Sequence, residues 1–130
     1  MDLQPTSTTV TALEDRSWLG SAHGTDSTDS ITLDLSLFDE ATHFPDGEIA
    51  SGTCLGKVTA TGFYGPYDAG NSDGTETGRG YLFNTIQVRN ATGKAGAPLL
   101  NHGKVRVANL PANSGHDAGF EADVPNIIHV

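Results

Sequence analysis

The sequence predicts a single small β-rich domain of mixed α+β type, preceded by an extended N-terminal arm. Three observations predict it. Apolar residues recur with period two in several places and nowhere with a sustained helical period. Sixteen glycines and six prolines are spread through 130 residues and separate short apolar stretches, as turns do. The first stretch is rich in Ser, Thr, Asp and Gly, and its large apolar side chains (Leu3, Val10, Leu13, Trp18, Leu19) are scattered. The expected division is an arm over residues 1–29 and a β-rich domain over residues 30–130.

Within the arm, Thr6 to Thr11 is polar and mostly β-branched, which favours extended backbone without supplying a core face. Trp18 is the only tryptophan, and an indole with nothing to pack on would be wasteful there. From Ile31 to Leu37 the odd positions are apolar and the even ones polar, the mark of a half-buried strand that ends at Phe38. Pro45-Asp46-Gly47 is a turn, with Pro presetting φ and Gly accepting a positive one. A second strand is expected from Leu55 through Phe63, then a turn at Gly65-Pro66-Tyr67-Asp68 and a polar loop from Ala69 to Gly80. The third strand, Tyr81 to Arg89, puts Leu82, Ile86 and Val88 on one face. The fourth, Lys104 to Leu110, stops at Pro111, which cannot continue a ladder. Ala112 to Val124, broken by Gly115 and Gly119, has room for one short helix, and Ile127 to Val130 closes the chain as a last strand.

A chain of this length folds as one domain that buries roughly two-thirds of its unfolded surface, so it needs no metal or disulfide. The formal net charge of -9 repels phosphate, which argues against nucleic acid and against an anionic membrane surface as partners. Cys54 is the only cysteine, so no intrachain disulfide exists. The opening residues lack the basic and apolar character of a secretory leader, and no apolar run is long enough to span a bilayer. Synthesis in a cytoplasm is the expectation.

Catalytic and metal-binding patterns are missing from the sequence. His23, His43, His102, His116 and His129 stand apart, none with a second ligand at helical or hairpin spacing, and read as solvated residues. Cys54 has no charged neighbour before Lys57 and reads as a small buried residue. The acidic loop Asp68 to Glu76 suggests calcium, but aligning it to an EF-hand puts Ala69 and Gly80 where the first and last carboxylates belong. Asn90-Ala91-Thr92 matches a glycosylation sequon but carries no weight without a secretory leader. Nothing assembles a nucleophile, a base and oxyanion donors. No catalytic residue, cofactor or metal is expected, and binding or structure is favoured over catalysis.

One stretch is more specific. Phe44-Pro45-Asp46-Gly47-Glu48-Ile49-Ala50-Ser51-Gly52-Thr53-Cys54-Leu55-Gly56-Lys57-Val58-Thr59-Ala60-Thr61-Gly62 runs into Phe63-Tyr64-Gly65-Pro66-Tyr67-Asp68, and Gly80-Tyr81-Leu82-Phe83 follows the polar loop. This block closely resembles the head decoration proteins of tailed bacteriophages, the family of the lambda head protein D. A weaker likeness continues through His102 to Val107, Asn109-Leu110-Pro111 and Ile127 to Val130, and Asp15 to Ser21 looks like the family's pre-domain segment. Against the lambda protein, the loop Ala69 to Gly80 looks longer and the region after Pro111 richer in glycine. The resemblance implies a β-tulip fold and a virion protein. It implies a homotrimer at local three-fold positions on the outside of the expanded head, bound to the major capsid protein and stabilising the shell against packaged DNA.

The residues suit such a role. About 20 extended residues reach roughly 65 Å, enough to cross to a neighbouring subunit. Thr8, Thr9, Val10, Thr11, Ala12 and Leu13 are expected to add as a strand to a sheet edge of the shell, with Trp18 and Leu19 anchoring the arm's base. Tyr64, Pro66 and Tyr67 are candidates for a trimer or capsid interface; the competing reading is a turn packed on the domain's own core. Three arms on one trimer would make attachment multivalent. The alternative function is a surface-displayed β-sandwich that binds carbohydrate, with Tyr64, Tyr67 and Tyr81 as a platform beside Asn71 and Asp73. A hydrolase using Asp68 and Glu76 is a remote third.

Overall fold

In a computed structural model, which describes residues 16–21 and 28–130, the elements run in the order β1 (Asp29–Asp34), a 3-10 turn (Leu35–Leu37), α1 (Glu40–His43), β2 (Glu48–Ile49), β3 (Cys54–Lys57), β4 (Tyr64–Pro66), β5 (Gly78–Leu82), β6 (Ile86–Gln87), β7 (Lys94–Leu100), β8 (Gly103–Val105), a second 3-10 turn (Val107–Asn109), α2 (Ala118–Asp123) and β9 (Ile127–His129). Five strands close a barrel in the order β1-β4-β3-β5-β7. β1 runs antiparallel to β7 along its whole length but meets β4, in parallel, only at Leu33 and Tyr64. β2 and β6 pair beside the barrel, and β8 and β9 form a parallel ribbon that Leu19 extends through an antiparallel bridge to Val105.

Alternation of side chains across the central strands makes two cores from one sheet. Leu55 of β3, Leu82 of β5, Leu99 of β7 and Leu33 of β1 are buried on the face that all barrel strands share, with Phe38, Phe44 and Ile49 closing over it. Their neighbours Cys54, Tyr81 and Leu100 point the other way, into a second cluster completed by Trp18, Tyr67, Val105, Phe120, Val124 and Ile127. The second core therefore exists only because α2, β9 and the segment around Trp18 fold back over the outside of β3, β5 and β7. Phe120 of α2 lies so close to β5 that a Cβ on Gly78 would sit 2.4 Å from its ring.

Several expected strands are shorter than their sequence pattern. The strand expected over Ile31 to Phe38 ends at Asp34, whose carboxylate accepts from the Ser36 amide at 3.1 Å and hydroxyl at 2.6 Å and turns the chain into the 3-10 segment. Leu35 and Phe38 remain buried after the turn. The single strand expected from Leu55 through Phe63 is two: β3 stops at Lys57, Gly62 takes φ +78°, and bonds from Val58 to Phe63 and from Gly62 to Val58 close the hairpin. Gly65 and Pro66, expected in a turn, belong to β4, and Gly78 to Gly80, expected in the polar loop, begin β5. The strand expected over Tyr81 to Arg89 breaks into the end of β5 and the short β6, although Leu82, Ile86 and Val88 do meet in one cluster. The strand expected over Lys104 to Leu110 ends at Val105, since Leu110 donates back to Val107 to close a 3-10 turn.

The longest strand, β7, has no counterpart among the sequence expectations. Its Lys-Ala-Gly-Ala-Pro start reads as a loop. Pro98 is tolerated because Leu35 donates to Gly93, which fixes the ladder phase so that Pro98 and Ser30 form a pair without mutual hydrogen bonds. The missing N–H then faces β5, where Pro98 contributes only its carbonyl, to the Phe83 amide at 3.1 Å. α2 and β9 lie within the spans expected for a short helix and a last strand.

Candidate functional site

The base of the N-terminal segment is strapped to the domain by main chain and side chain together. Arg16 donates through Nε to the Phe83 carbonyl at 3.1 Å and through its terminal nitrogen to Asn84 Oδ1, with the guanidinium 4.2 Å from the Phe83 ring centroid. Trp18 is 1% exposed, its indole 5.6 Å from the Tyr81 ring. Its Nε1 donates to Ser51 Oγ at 3.2 Å, and that hydroxyl donates on to the Phe83 carbonyl at 2.7 Å. Gly52 beside it has φ +98°, and a Cβ there would lie 3.0 Å from the indole nitrogen and 2.8 Å from Pro111. Backbone bonds from Gly20 to Lys104 at 2.8 Å and from Arg106 to Trp18 at 2.6 Å hold the strand-like piece against β8, and Asn109 donates its amide to the Ser17 carbonyl.

These contacts seat residues 16–20 against the β-rich domain. Trp18 and Leu19, assigned from sequence to a capsid-contacting arm, are part of the domain: Trp18 is core, and Leu19 packs on that core while bridging Val105. The indole is already desolvated by its own chain and has no face left for a partner. The other arm residues, Thr8, Thr9, Val10, Thr11, Ala12 and Leu13, lie outside the described residues.

The three interface candidates on and beside β4 separate. Tyr67 is buried, packs edge-on against Phe120 at 5.0 Å, and donates its hydroxyl to Asp117 Oδ1 at 2.9 Å. Burial, with the Asp117 carboxylate behind it, pushes the phenol up to about 12, so it remains a donor. Tyr64 and Pro66 are half-buried on β4, Tyr64 packing on the barrel core. The carbohydrate reading loses its platform here. Tyr67 and Tyr81 face inward, Asn71 donates to Thr75, and Asp73 accepts from the Thr75 amide and hydroxyl. The loop from Asp68 to Glu76 is likewise turned in on itself, Asp68 accepting from Gly70 and Glu76 from Gly74. Among the described residues no group of three or more His, Cys, Asp and Glu side chains has metal-holding geometry.

Two histidines that read as solvated are not. His129 on β9 has a side chain only 8% exposed, and its Nε2 lies 2.9 Å from the Tyr81 hydroxyl. Glu121 on α2 bridges from its other side, 4.0 Å from His129 Nδ1 and 2.6 Å from His116 Nε2. Desolvation holds His129 below the ordinary histidine value, with Glu121 opposing that shift and His116 adding to it. The alternation Ile127-in, Ile128-out, His129-in is the sequence signal for this inward orientation. The Glu121 partnership arises from chain folding and leaves no local spacing to read. Burial likewise raises the Cys54 thiol far above its usual range, consistent with an inert core residue.

The model of one protein family, bacteriophage lambda head decoration protein D, matches residues 16–123. No curated protein and no solved structure matches the chain significantly. The matched region begins at Arg16, the residue that opens the strap, and runs through both cores to the end of α2. It covers most of the 130 residues and carries the block Phe44 to Phe83 on which the sequence resemblance rests. The chain belongs to the bacteriophage lambda head decoration protein D family and is a structural component of a phage capsid.

Proposed function

We propose that this decoration protein binds as a homotrimer to the outer surface of the expanded head at local three-fold positions, where it stabilises the shell against the pressure of packaged DNA. The observation that carries the reading is the family match over residues 16–123, beginning where the strap fixes the chain to its domain. Arg16, which follows residues 1–15 in the sequence, is bonded to Phe83 and Asn84, and such a fixed root suits a tether whose far end binds elsewhere. In this reading Thr8 to Leu13 add as a strand to a sheet edge of the major capsid protein, and main-chain hydrogen bonds supply most of the affinity. Trp18 acts as the internal plug at the tether's root. Tyr64 and Pro66 lie at the trimer or capsid interface, with Tyr67 beneath them as support. The acidic surface is turned away from DNA, and neither nucleic acid nor a membrane is a partner. The protein is made in the host cytoplasm and acts without catalysis.

Binding to purified expanded capsids, with and without residues 1–15, tests the tether. Truncation is expected to leave a folded domain and to abolish or strongly weaken capsid binding; undiminished binding would refute it. Light scattering tests the assembly: a monomer both free and on the shell sinks the trimer.

A further inference from the structure

The group formed by Tyr81, His129, Glu121 and His116 sits where three elements meet and serves no part of the capsid-binding reading. We propose that it is an acid-released latch that fastens the C-terminal strand β9 to the core, and through β8 steadies the segment around Leu19.

The chemistry of the four side chains sets the direction of release. The Tyr81 phenol is buried and driven well above its ordinary range by desolvation and by the Cys54 thiol behind it, so it remains protonated and donates. The hydroxyl lies 2.9 Å from His129 Nε2; with the phenol donating, the imidazole's single proton is on Nδ1, the atom 4.0 Å from Glu121 Oε1. In that tautomer every member of the chain has a partner. Protonating His129 puts a second proton on Nε2, directly opposite a hydroxyl that already points its own proton there. The hydroxyl must then turn its own proton elsewhere and accept from Nε2 instead, and a charged imidazolium with an 8% exposed side chain must be held inside the fold.

Among the described residues Glu121 is the carboxylate paired with both rings, and His116 already engages it at 2.6 Å. The two imidazole centroids are 5.9 Å apart, and both rings turn to the same carboxylate. The groups that face His129 are thus Tyr81 from β5, Glu121 from α2 and His116 from the loop before α2, while Val105, its register partner on β8, is apolar. Glu121, engaged at 2.6 Å by His116 and 4.0 Å from His129, does not restore what burial removes.

β9 is the element that can yield. It is three residues long, pairs among the described residues only with β8, and presents Ile128 to solvent at 62% exposure. Releasing it frees His129 to hydrate and exposes Ile127, whereas Tyr81 and Glu121 belong to elements with wider support. The opposite edge of β8 carries the Leu19 bridge, so loosening the ribbon reaches the strap from behind.

Amide hydrogen exchange on the full chain at pH 7.5 and pH 5.5, corrected for intrinsic rates, tests the latch together with an NMR titration of the histidine rings. The expected result is a loss of protection at acid pH confined to residues 19–20, 103–106 and 127–130, with β3 and β5 unchanged, and a His129 midpoint below the ordinary 6.5. His129→Gln should remove the pH dependence of that protection, and Glu121→Gln should move the His129 midpoint lower still. A His129 midpoint at or above 6.5, equal protection at the two pH values, or a uniform loss that includes β3 and β5 would each overturn the proposal. The ring titration uses the unaltered protein, so it decides even where a variant fails to fold. None of these readouts involves capsid, so the latch stands or falls independently of the tether.

Discussion

At Gly52 a single methyl group is enough to disturb the strap. Its φ of +98° disfavours any side chain, and the space a Cβ would need is taken by the Trp18 indole and Pro111. Gly52→Ala is therefore expected to cost on the order of 2 kcal/mol, from strain and from displacement of the indole. Trp18→Ala should cost about 3–5 kcal/mol, the range for truncating a large buried aromatic. Urea denaturation of both variants checks these values. The same residue provides the signal: as the only tryptophan and 1% exposed, it should emit at short wavelength in the folded protein and shift to the red on unfolding. By contrast, the Lys94–Asp34 ion pair at 3.5 Å has a lysine side chain 43% exposed, and breaking it should cost less than about 1 kcal/mol.

Among elements, α2 depends most visibly on one residue. Asp117 caps it by accepting from the Phe120 amide at 2.8 Å, and the same oxygen receives the Tyr67 hydroxyl. Asp117→Ala removes a cap worth about 1 kcal/mol and leaves a buried phenol without its acceptor, which adds about 1–3 kcal/mol. Asp117→Asn, which retains an oxygen, should recover a large part of the loss in the same denaturation experiment. The elements also show what the sequence discloses and what it withholds. α2, β9 and the Pro45-Asp46-Gly47 turn are legible because capping, terminal alternation and turn chemistry are local. β7 is not, because Pro98 is acceptable only through a ladder phase set by β1, sixty residues earlier in the chain. Period two also overran β1, since Leu35 continues the buried pattern after Asp34 has turned the backbone. At the candidate site the importance of Trp18 was legible but its direction was not: nothing in the local sequence says that the indole faces inward onto Tyr81.

Across the whole molecule, pH should act in two steps. His43 and His129 are both held below 6.5, burial being the larger cause in each. Their unfolded forms take up protons first, so stability is full above pH 6.5 and falls as pH drops below it, levelling once the folded-state values are passed. Asp34 and Asp73 are held below 3.8 by hydrogen bonds, from Ser36 and from Thr75 respectively. Their contribution is present above pH 3.8 and is lost on further acidification through their folded-state values. Thermal unfolding followed from pH 8 to pH 3 should show a first decline below neutrality and a second in the acid range; a flat profile from pH 7 to pH 5 would contradict the histidine step.

The strap also has a mechanical meaning. Any pull on residues 1–15 arrives at Arg16 before it reaches Trp18, simply by chain order. The guanidinium bonds to Phe83 and Asn84 lie at the edge of the domain and can re-form after breaking, whereas withdrawing the indole opens a core. If residues 1–15 are the tether proposed above, Arg16 would work as a strain relief, like the grip on a cable where it enters its housing. Under steady tension it would yield and recover many times before the tether is torn from its root.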